Sequence, residues 1–376
     1  MARVLLIGTS ETKQAELAAL SDALRAQGLE VALIDISLGS GGVVLPGAAK
    51  LALMQTRAAE ARAQACALAG DSLAALGIGG GTGGEIALDV LCALPSDLPR
   101  LLITTLAFDP RAALAQNAIT LIPTLCDIEG MNPTLAQVFD NAAAMVAGLR
   151  HRRGIATSAR PSIAVSTLGA TGPAGTAVVQ ALARRSLEAT VFHSNGYGGA
   201  AFARFVREGR AAGVIDLNVH ELGRMHLAGA CVPMPDRFTV SGFLPRVVLP
   251  GALNFLGLGA VETLDSAYLA RPYYRHSSHF THVKLTQSEM EGQAHALADA
   301  LNAASAPTHV LVPMGGFSHE DRSGGAIEDP HLREIAADIL AREAKAFTVA
   351  RVPHHINDPQ TGEGAVKALL QRMPDA

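Results

Sequence analysis

The residues best equipped for chemistry sit in glycine-rich turns that follow short apolar runs. The densest such turn is Gly79-Gly80-Gly81-Thr82-Gly83-Gly84. Glycine lets backbone N–H groups come close to an anion, and a helix starting there adds a favourable dipole. Gly79, Gly81 and Gly84 satisfy the pattern GxGxxG. A run this rich in glycine satisfies many patterns, however, and neither Asp97 nor Asp109 is placed to end the next strand as a nicotinamide site requires. A Walker A loop fails because Glu85 stands where its lysine would be. Any phosphate held here is therefore held by backbone. Lys13, in Gly8-Thr9-Ser10-Glu11-Thr12-Lys13, leaves the first strand at the same sheet edge and is the candidate cation. The plainer reading makes Thr9 or Ser10 a helix cap and Lys13 a solvated side chain.

The second half carries its own turns, richer in titratable groups. Gly169-Ala170-Thr171-Gly172 and His193-Ser194-Asn195-Gly196 follow two strands, and Asp216, His220 and Glu221 follow a third. A long polar loop then brings Ser318, His319 and Asp321. Proton transfer by His193, Glu221 and His276, with Ser318, fits groups assembled from separate strand ends. Glu221 has an equal claim as a helix N-terminal carboxylate facing the dipole. No GxSxG elbow surrounds any serine, so a covalent serine mechanism is a minor idea. His276, His279 and His282 recur at intervals of three, and Glu221, Asp321 or His193 would have to complete a metal site. Nothing in the spacing requires that, and no metal is expected. His354 and His355, just before Pro359, read as the end of a strand and the start of a turn or helix.

These turns need strands and helices to hold them. Residues 3–8 (RVLLIG) form a buried parallel strand, a helix with Leu17, Leu20 and Leu24 follows, and residues 31–36 (VALIDI) return as a second strand. The alternation continues through strands at 73–78 and 100–105 and helices at 58–69, 85–94 and 135–149. It restarts at 162–166 after a basic stretch from His151 to Pro161, the best linker candidate. Further strands are expected at 189–192, 213–217, 246–249, 310–313 and 348–352, and helices at 176–187 and 200–208. The fold class is α/β: two Rossmann-like domains with mainly parallel sheets and an interdomain cleft. The first, 1–155, would bind the nucleotide or anion, and the second, 156–376, would carry most catalytic candidates.

Composition narrows the function. Thirty Lys+Arg against 34 Asp+Glu leave a net charge of −4, and aromatics make up 4% with no Trp, which argues against a nucleic-acid partner. No apolar stretch is long enough for a membrane span, so no membrane partner is expected and the location is read as cytoplasmic. Four scattered cysteines suggest free buried thiols. Only 17% of residues are charged, which implies apolar surface covered by another subunit and hence a homo-oligomer.

Taken together and in order, the motifs resemble a long-uncharacterised family related to the ATP-binding inhibitor domain of the tomato mosaic virus resistance protein. In the first half the resemblance rests on Ile7-Gly8-Thr9 with Thr12-Lys13, the 79–84 loop, residues 101–107, and Asp127-Ile128-Glu129-Gly130-Met131-Asn132. In the second half it rests on Phe192-His193, Asp216-Leu217 with Glu221, Pro250-Gly251-Ala252 with Asn254-Phe255, His276, Pro313 with Gly316 and Ser318, and His355-Ile356-Asn357-Asp358-Pro359. The chain departs from the pattern at Ser10-Glu11, Leu253 and Ser277.

The resemblance implies two α/β domains, self-association, and ATP, with Mg as an accompanying ion. The nucleotide would lie on Gly8, Thr9, Thr12, Lys13, Gly79, Gly80, Gly81, Thr82, Gly83, Gly84 and Thr105. It also points to a TIM-barrel partner protein and to small-molecule metabolism of oxo-acids. The leading expectation is an enzyme acting on a small carboxylate- or oxo-acid-type metabolite in an interdomain cleft. The alternatives are a non-catalytic ATP-binding sensor or inhibitor module and an ATP-independent C–C lyase or acyl hydrolase.

Overall fold

The computed structural model of the chain describes residues 1–41, 43, 45–152 and 161–373. Most of the expected linker, 153–160, lies outside these residues. The chain divides into two compact units, Met1–Ala156 and Thr157–Ala376.

The first unit is a five-stranded parallel sheet made of β1 (Ala2–Gly8), β2 (Leu29–Asp35), β3 (Ser72–Gly79), β4 (Arg100–Thr104) and β5 (Ile119–Pro123), in the order β2-β1-β3-β4-β5. Both faces of β1 are buried, which is why it reads as an unbroken apolar run. Val4 and Leu6 pack with Leu17, Leu20 and Leu24 of the helix Gln14–Ala26 and with Phe139 of the helix Pro133–Gly148. Leu5 and Ile7 face the opposite way, onto Met54, Ala58 and Ala61 of Gly47–Ala69 and Ile86 of Gly81–Ala93. Asn132 caps Pro133–Gly148 by accepting from the Leu135 N–H, 3.0 Å. Strand order reverses between β1 and β3, so the loops leaving these two strands flank the crevice where open α/β sheets take ligands.

The second unit has a six-stranded parallel sheet of β6 (Ser162–Thr167), β7 (Ala189–His193), β8 (Ala211–Asp216), β9 (Arg246–Val248), β13 (Thr308–Pro313) and β14 (Phe347–Val352), ordered β14-β13-β9-β8-β6-β7. Its reversal point falls between β6 and β8. Beside it is an antiparallel sheet, β10 (Phe255–Leu258), β12 (Thr281–Lys284) and β11 (Tyr273–Arg275), that sequence alternation did not reveal. Its strands are only three or four residues long, too short to show a period.

The α/β class holds for both units. β5 and the helices Gln287–Asn302 and Pro330–Glu343 add to the expected elements. Gln287–Asn302 carried a readable start signal: Thr286 Oγ1 accepts from the Glu289 N–H (3.2 Å), and Glu289 Oε2 accepts from the Thr286 N–H (2.8 Å). Helices after the glycine turns begin earlier than expected, at Gly81 rather than Glu85 and at Gly172 rather than Thr176. The glycines themselves therefore form the first turn. None of the four cysteines forms a disulfide; Cys66 is exposed and the others half-buried, which corrects the expectation of buried thiols. Among the described residues, no helix is long and apolar enough to cross a membrane.

Candidate functional sites

In the first unit, the loops after β1 and β3 line a cavity of about 540 Å³ whose wall includes Thr9, Thr12, Lys13 and the residues Gly79 to Gly83. Glycine is required at the turn because the chain folds onto itself. A Cβ on Gly79 would stand 2.3 Å from the Gly84 nitrogen, and one on Gly84 2.8 Å from the Gly79 oxygen. Gly81, by contrast, faces open space. The N–H groups opening the helix Gly81–Ala93 have no acceptor within the helix and are free to meet an anion. Thr105 sits against Gly80 (3.4 Å from the position of a Cβ there), while Gly8 packs on Leu17 and does not line the cavity.

Charges around this cavity are largely spoken for. Lys13 is ion-paired with Glu129. Glu11 accepts from the backbone N–H groups of Gly39 (2.9 Å) and Gly41 (2.6 Å), pinning the loop after β2. Asp35, at the end of β2, is the acidic residue in the position a dinucleotide ribose would use. It instead accepts from the Ser10 and Ser37 N–H groups (2.9 and 3.0 Å) and the Ser37 hydroxyl (2.6 Å). Burial raises its pKa, but these hydrogen bonds outweigh that and hold the carboxyl below its ordinary value.

In the second unit a smaller pocket, about 130 Å³, collects His193, Asn195, His220, Arg224, His276 and His282 from four different elements. His193 ends β7, His220 opens the helix His220–His226 after β8, and His276 and His282 flank the β11–β12 turn. His220 Nδ1 lies 3.0 Å from the Ala252 carbonyl, which can only accept, so Nδ1 carries the proton and Nε2 is left with its lone pair. Nε2 has no partner although it is buried. Burial, reinforced by Arg224, pushes His220 down to about 3, so it is neutral. The rings stack in series: Phe255 on His282 (4.1 Å between centroids) and His282 on His276 (4.7 Å).

The loop after β7 is held by a buried charge network centred on Arg237, which sequence reading missed. Its guanidinium grips Asp216 with two hydrogen bonds (2.8 and 2.9 Å) and donates to Glu221 Oε2 (2.9 Å). It also packs over the rings of Phe202 and Phe238. Burial opposes its charge, but the two carboxylates prevail and hold its pKa above the ordinary value. Glu221 Oε1 accepts from the N–H groups of Gly196 (2.8 Å) and Gly199 (3.0 Å). A Cβ on Gly199 would fall 1.9 Å from Glu221 Oε2, so only glycine admits the carboxylate there.

The four catalytic candidates are thus divided. His193 and His276 meet in the pocket. Glu221 does not reach it: no part of it is exposed, and it holds the loop after β7 in place. Ser318 is also fully buried, its hydroxyl unpartnered and its carbonyl 2.8 Å from His355 Nε2. Asp321 accepts from the N–H groups of Phe317 (2.8 Å) and Asp329 (3.0 Å), and burial pushes its carboxyl up to about 6. His282 and Glu320 escaped sequence reading as partners because they stand 38 positions apart along the chain.

Fold and sites therefore define an α/β protein of two parallel-sheet units, each with small and titratable residues gathered at the reversal of strand order. Residues 160–373 match the uncharacterised protein family UPF0261 C-terminal domain, and residues 45–154 its N-terminal domain. The chain belongs to this family. A UPF0261 protein of Mesorhizobium japonicum is 30% identical over 98% of this chain and 99% of its own. One from Rhizobium meliloti is 31% identical over 98% of each. The ToMV resistance protein Tm-1 of Solanum lycopersicum is 27% identical, covering 80% of this chain and 41% of the tomato protein. The expected relationship to the tomato resistance protein therefore holds.

Proposed function

We propose that the chain is an enzyme of small-molecule metabolism, with proton transfer on a small carboxylate-bearing metabolite in the second unit and an anion-binding site in the first. The observation that carries the reading is the gathering of His193, His220, His276 and His282 with Arg224 on one pocket. A neutral buried imidazole with a free lone pair, as His220 is, accepts a hydrogen bond from the bound metabolite, while His193 and His276 on the same pocket are the groups that would carry the proton. Arg224 supplies the positive charge that a substrate carboxylate would meet.

In the first unit, the backbone of the 79–84 loop with Thr9, Thr12 and Lys13 would hold a phosphate, with ATP the nucleotide implied by the family resemblance. Magnesium would accompany it, near Asp127 and Glu11 on the cavity wall. Calorimetric titration with ATP, with and without Mg²⁺, tests this. Micromolar binding that is lost in Lys13→Ala supports it; no binding of ATP, ADP or inorganic phosphate overturns it. The pairing of Lys13 with Glu129 favours a second reading, in which a ligand of lower charge, such as an oxo-acid carboxylate, occupies the glycine loop of an ATP-independent lyase or acyl hydrolase. The same titration with oxo-acids separates the two.

A further inference from the structure

We propose that His276, His282 and Glu320 form the site of one divalent transition-metal ion of the zinc class, open toward the pocket that His193 and His220 line. The proposal deepens the reading of that pocket as a reaction site and rests on it only for what the ion would be used for.

Three elements deliver the ligands. His276 follows β11, His282 lies on β12 across the turn, and Glu320 sits in the single 3-10 turn His319–Asp321 in the loop after β13. One donor atom from each lies within 4.8 Å of the other two. His282 Nδ1 and Glu320 Oε2 are 3.7 Å apart. That is too long for a sound N–H···O hydrogen bond. It is close to the separation of about 3.4 Å between ligands of a four-coordinate ion bound at 2.0–2.1 Å.

Both atoms are buried and have no hydrogen-bond partner, and both residues are only 7% exposed. A buried polar atom without a partner is rare in a folded protein and calls for an occupant. The stack of Phe255 on His282 fixes the His282 ring, with Nδ1 3.7 Å from the carboxylate; the exposed His276 ring, whose plane lies 14° from that of His282, must turn out of the stack to aim its in-plane lone pair at the shared ion. Two imidazoles and one carboxylate select a borderline ion such as Zn²⁺ over Mg²⁺ or Ca²⁺, which prefer all-oxygen shells. Three protein ligands leave a position for a substrate oxygen or water, and His220 Nε2, unpartnered on the wall of the same pocket, is an acceptor for whatever binds there.

The test uses the full chain, freed of any affinity tag and dialysed against chelator. It is titrated with Zn²⁺ alone by calorimetry and with Co²⁺ alone by visible absorption. One tight equivalent per chain and the intense absorption bands of low-coordinate Co²⁺ are expected. His276 is exposed, so His276→Ala should fold normally while weakening Zn²⁺ binding by at least about tenfold, as should Glu320→Gln. Lys13→Ala should bind Zn²⁺ as the parent does. No saturable binding, or binding unchanged in His276→Ala and Glu320→Gln, overturns the site. Because no organic substrate is present, that failure leaves proton transfer in the pocket standing. Conversely, Zn²⁺ bound as described in a protein that turns over no carboxylate metabolite supports the site and counts against the reaction.

Discussion

The two units place a site at the same topological point but build it from opposite materials. In the first, the wall is backbone and small side chains, and its charges are surface groups: Lys13 is paired with Glu129, whose side chain is 74% exposed. In the second, imidazoles from four elements line the pocket, and the loop that carries His193 and Asn195 is pinned by a buried guanidinium with two carboxylates. An anion needs only amides pointing the right way, which a glycine turn supplies locally. An imidazole used for its lone pair needs a fixed ring, and fixing several rings from distant segments needs a rigid base beneath them. The buried ionic network supplies it for the loop after β7, and Phe255 supplies it for His282.

Removal of Arg237 should have the largest consequence for the second unit. Arg237→Met leaves Asp216 and Glu221 buried without their counter-charge and should lower stability by about 3–5 kcal/mol, read as the urea midpoint. A loss below about 1 kcal/mol would show that the network is not a foundation.

Next in size is Glu221→Gln, which keeps the shape but weakens the bonds to Arg237, Gly196 and Gly199. It should destabilise by about 1–3 kcal/mol. Gly199→Ala should displace the same carboxylate and disturb the loop that carries His193 and Asn195. An unchanged midpoint in both, with turnover abolished, would return Glu221 to the reacting groups.

In the first unit the same logic predicts little effect on stability. Lys13→Ala should change the midpoint by no more than about 0.5 kcal/mol, since an ion pair with so exposed a partner is worth little. ATP affinity should nevertheless fall by tenfold or more. A large loss of stability would mean that Lys13 is structural and the two sites are built alike.

The smallest expected effect is on acid sensitivity. The Asp35 carboxyl is held below its ordinary 3.8, so the folded chain binds fewer protons than the unfolded one as pH falls through that range. Its contribution is complete above the unfolded value and is lost as pH drops through the folded one. Asp35→Asn should therefore flatten the fall in stability between about pH 5 and about pH 2. An unaltered profile would remove Asp35 as the anchor of the loops after β1 and β2.

Much of the first site was legible because its determinants are local. A buried strand, a glycine run and a helix follow one another between Ser72 and Ala93, and their order predicts both the turn and its place at the sheet edge. Glycines in the first helical turn obscured only the helix start. The second site was legible in pieces. His193 and His276 stood out by type, yet Glu221 looked like a reacting group because nothing near it in the chain reveals Arg237, 16 positions on in an irregular loop.

The recurrence of His276, His279 and His282 at intervals of three did not reveal how their rings would meet. A hairpin turn stacks the rings of His276 and His282 and brings a donor atom of each within 4.8 Å of Glu320. Periodicity, glycine turns and charge balance are properties of neighbouring residues, and they settled the α/β class and the positions of the loops. Which carboxylate is buried as a strut and which faces an imidazole depends on partners brought together by chain reversal. Desolvation sets those roles, and only the packed molecule decides what is desolvated.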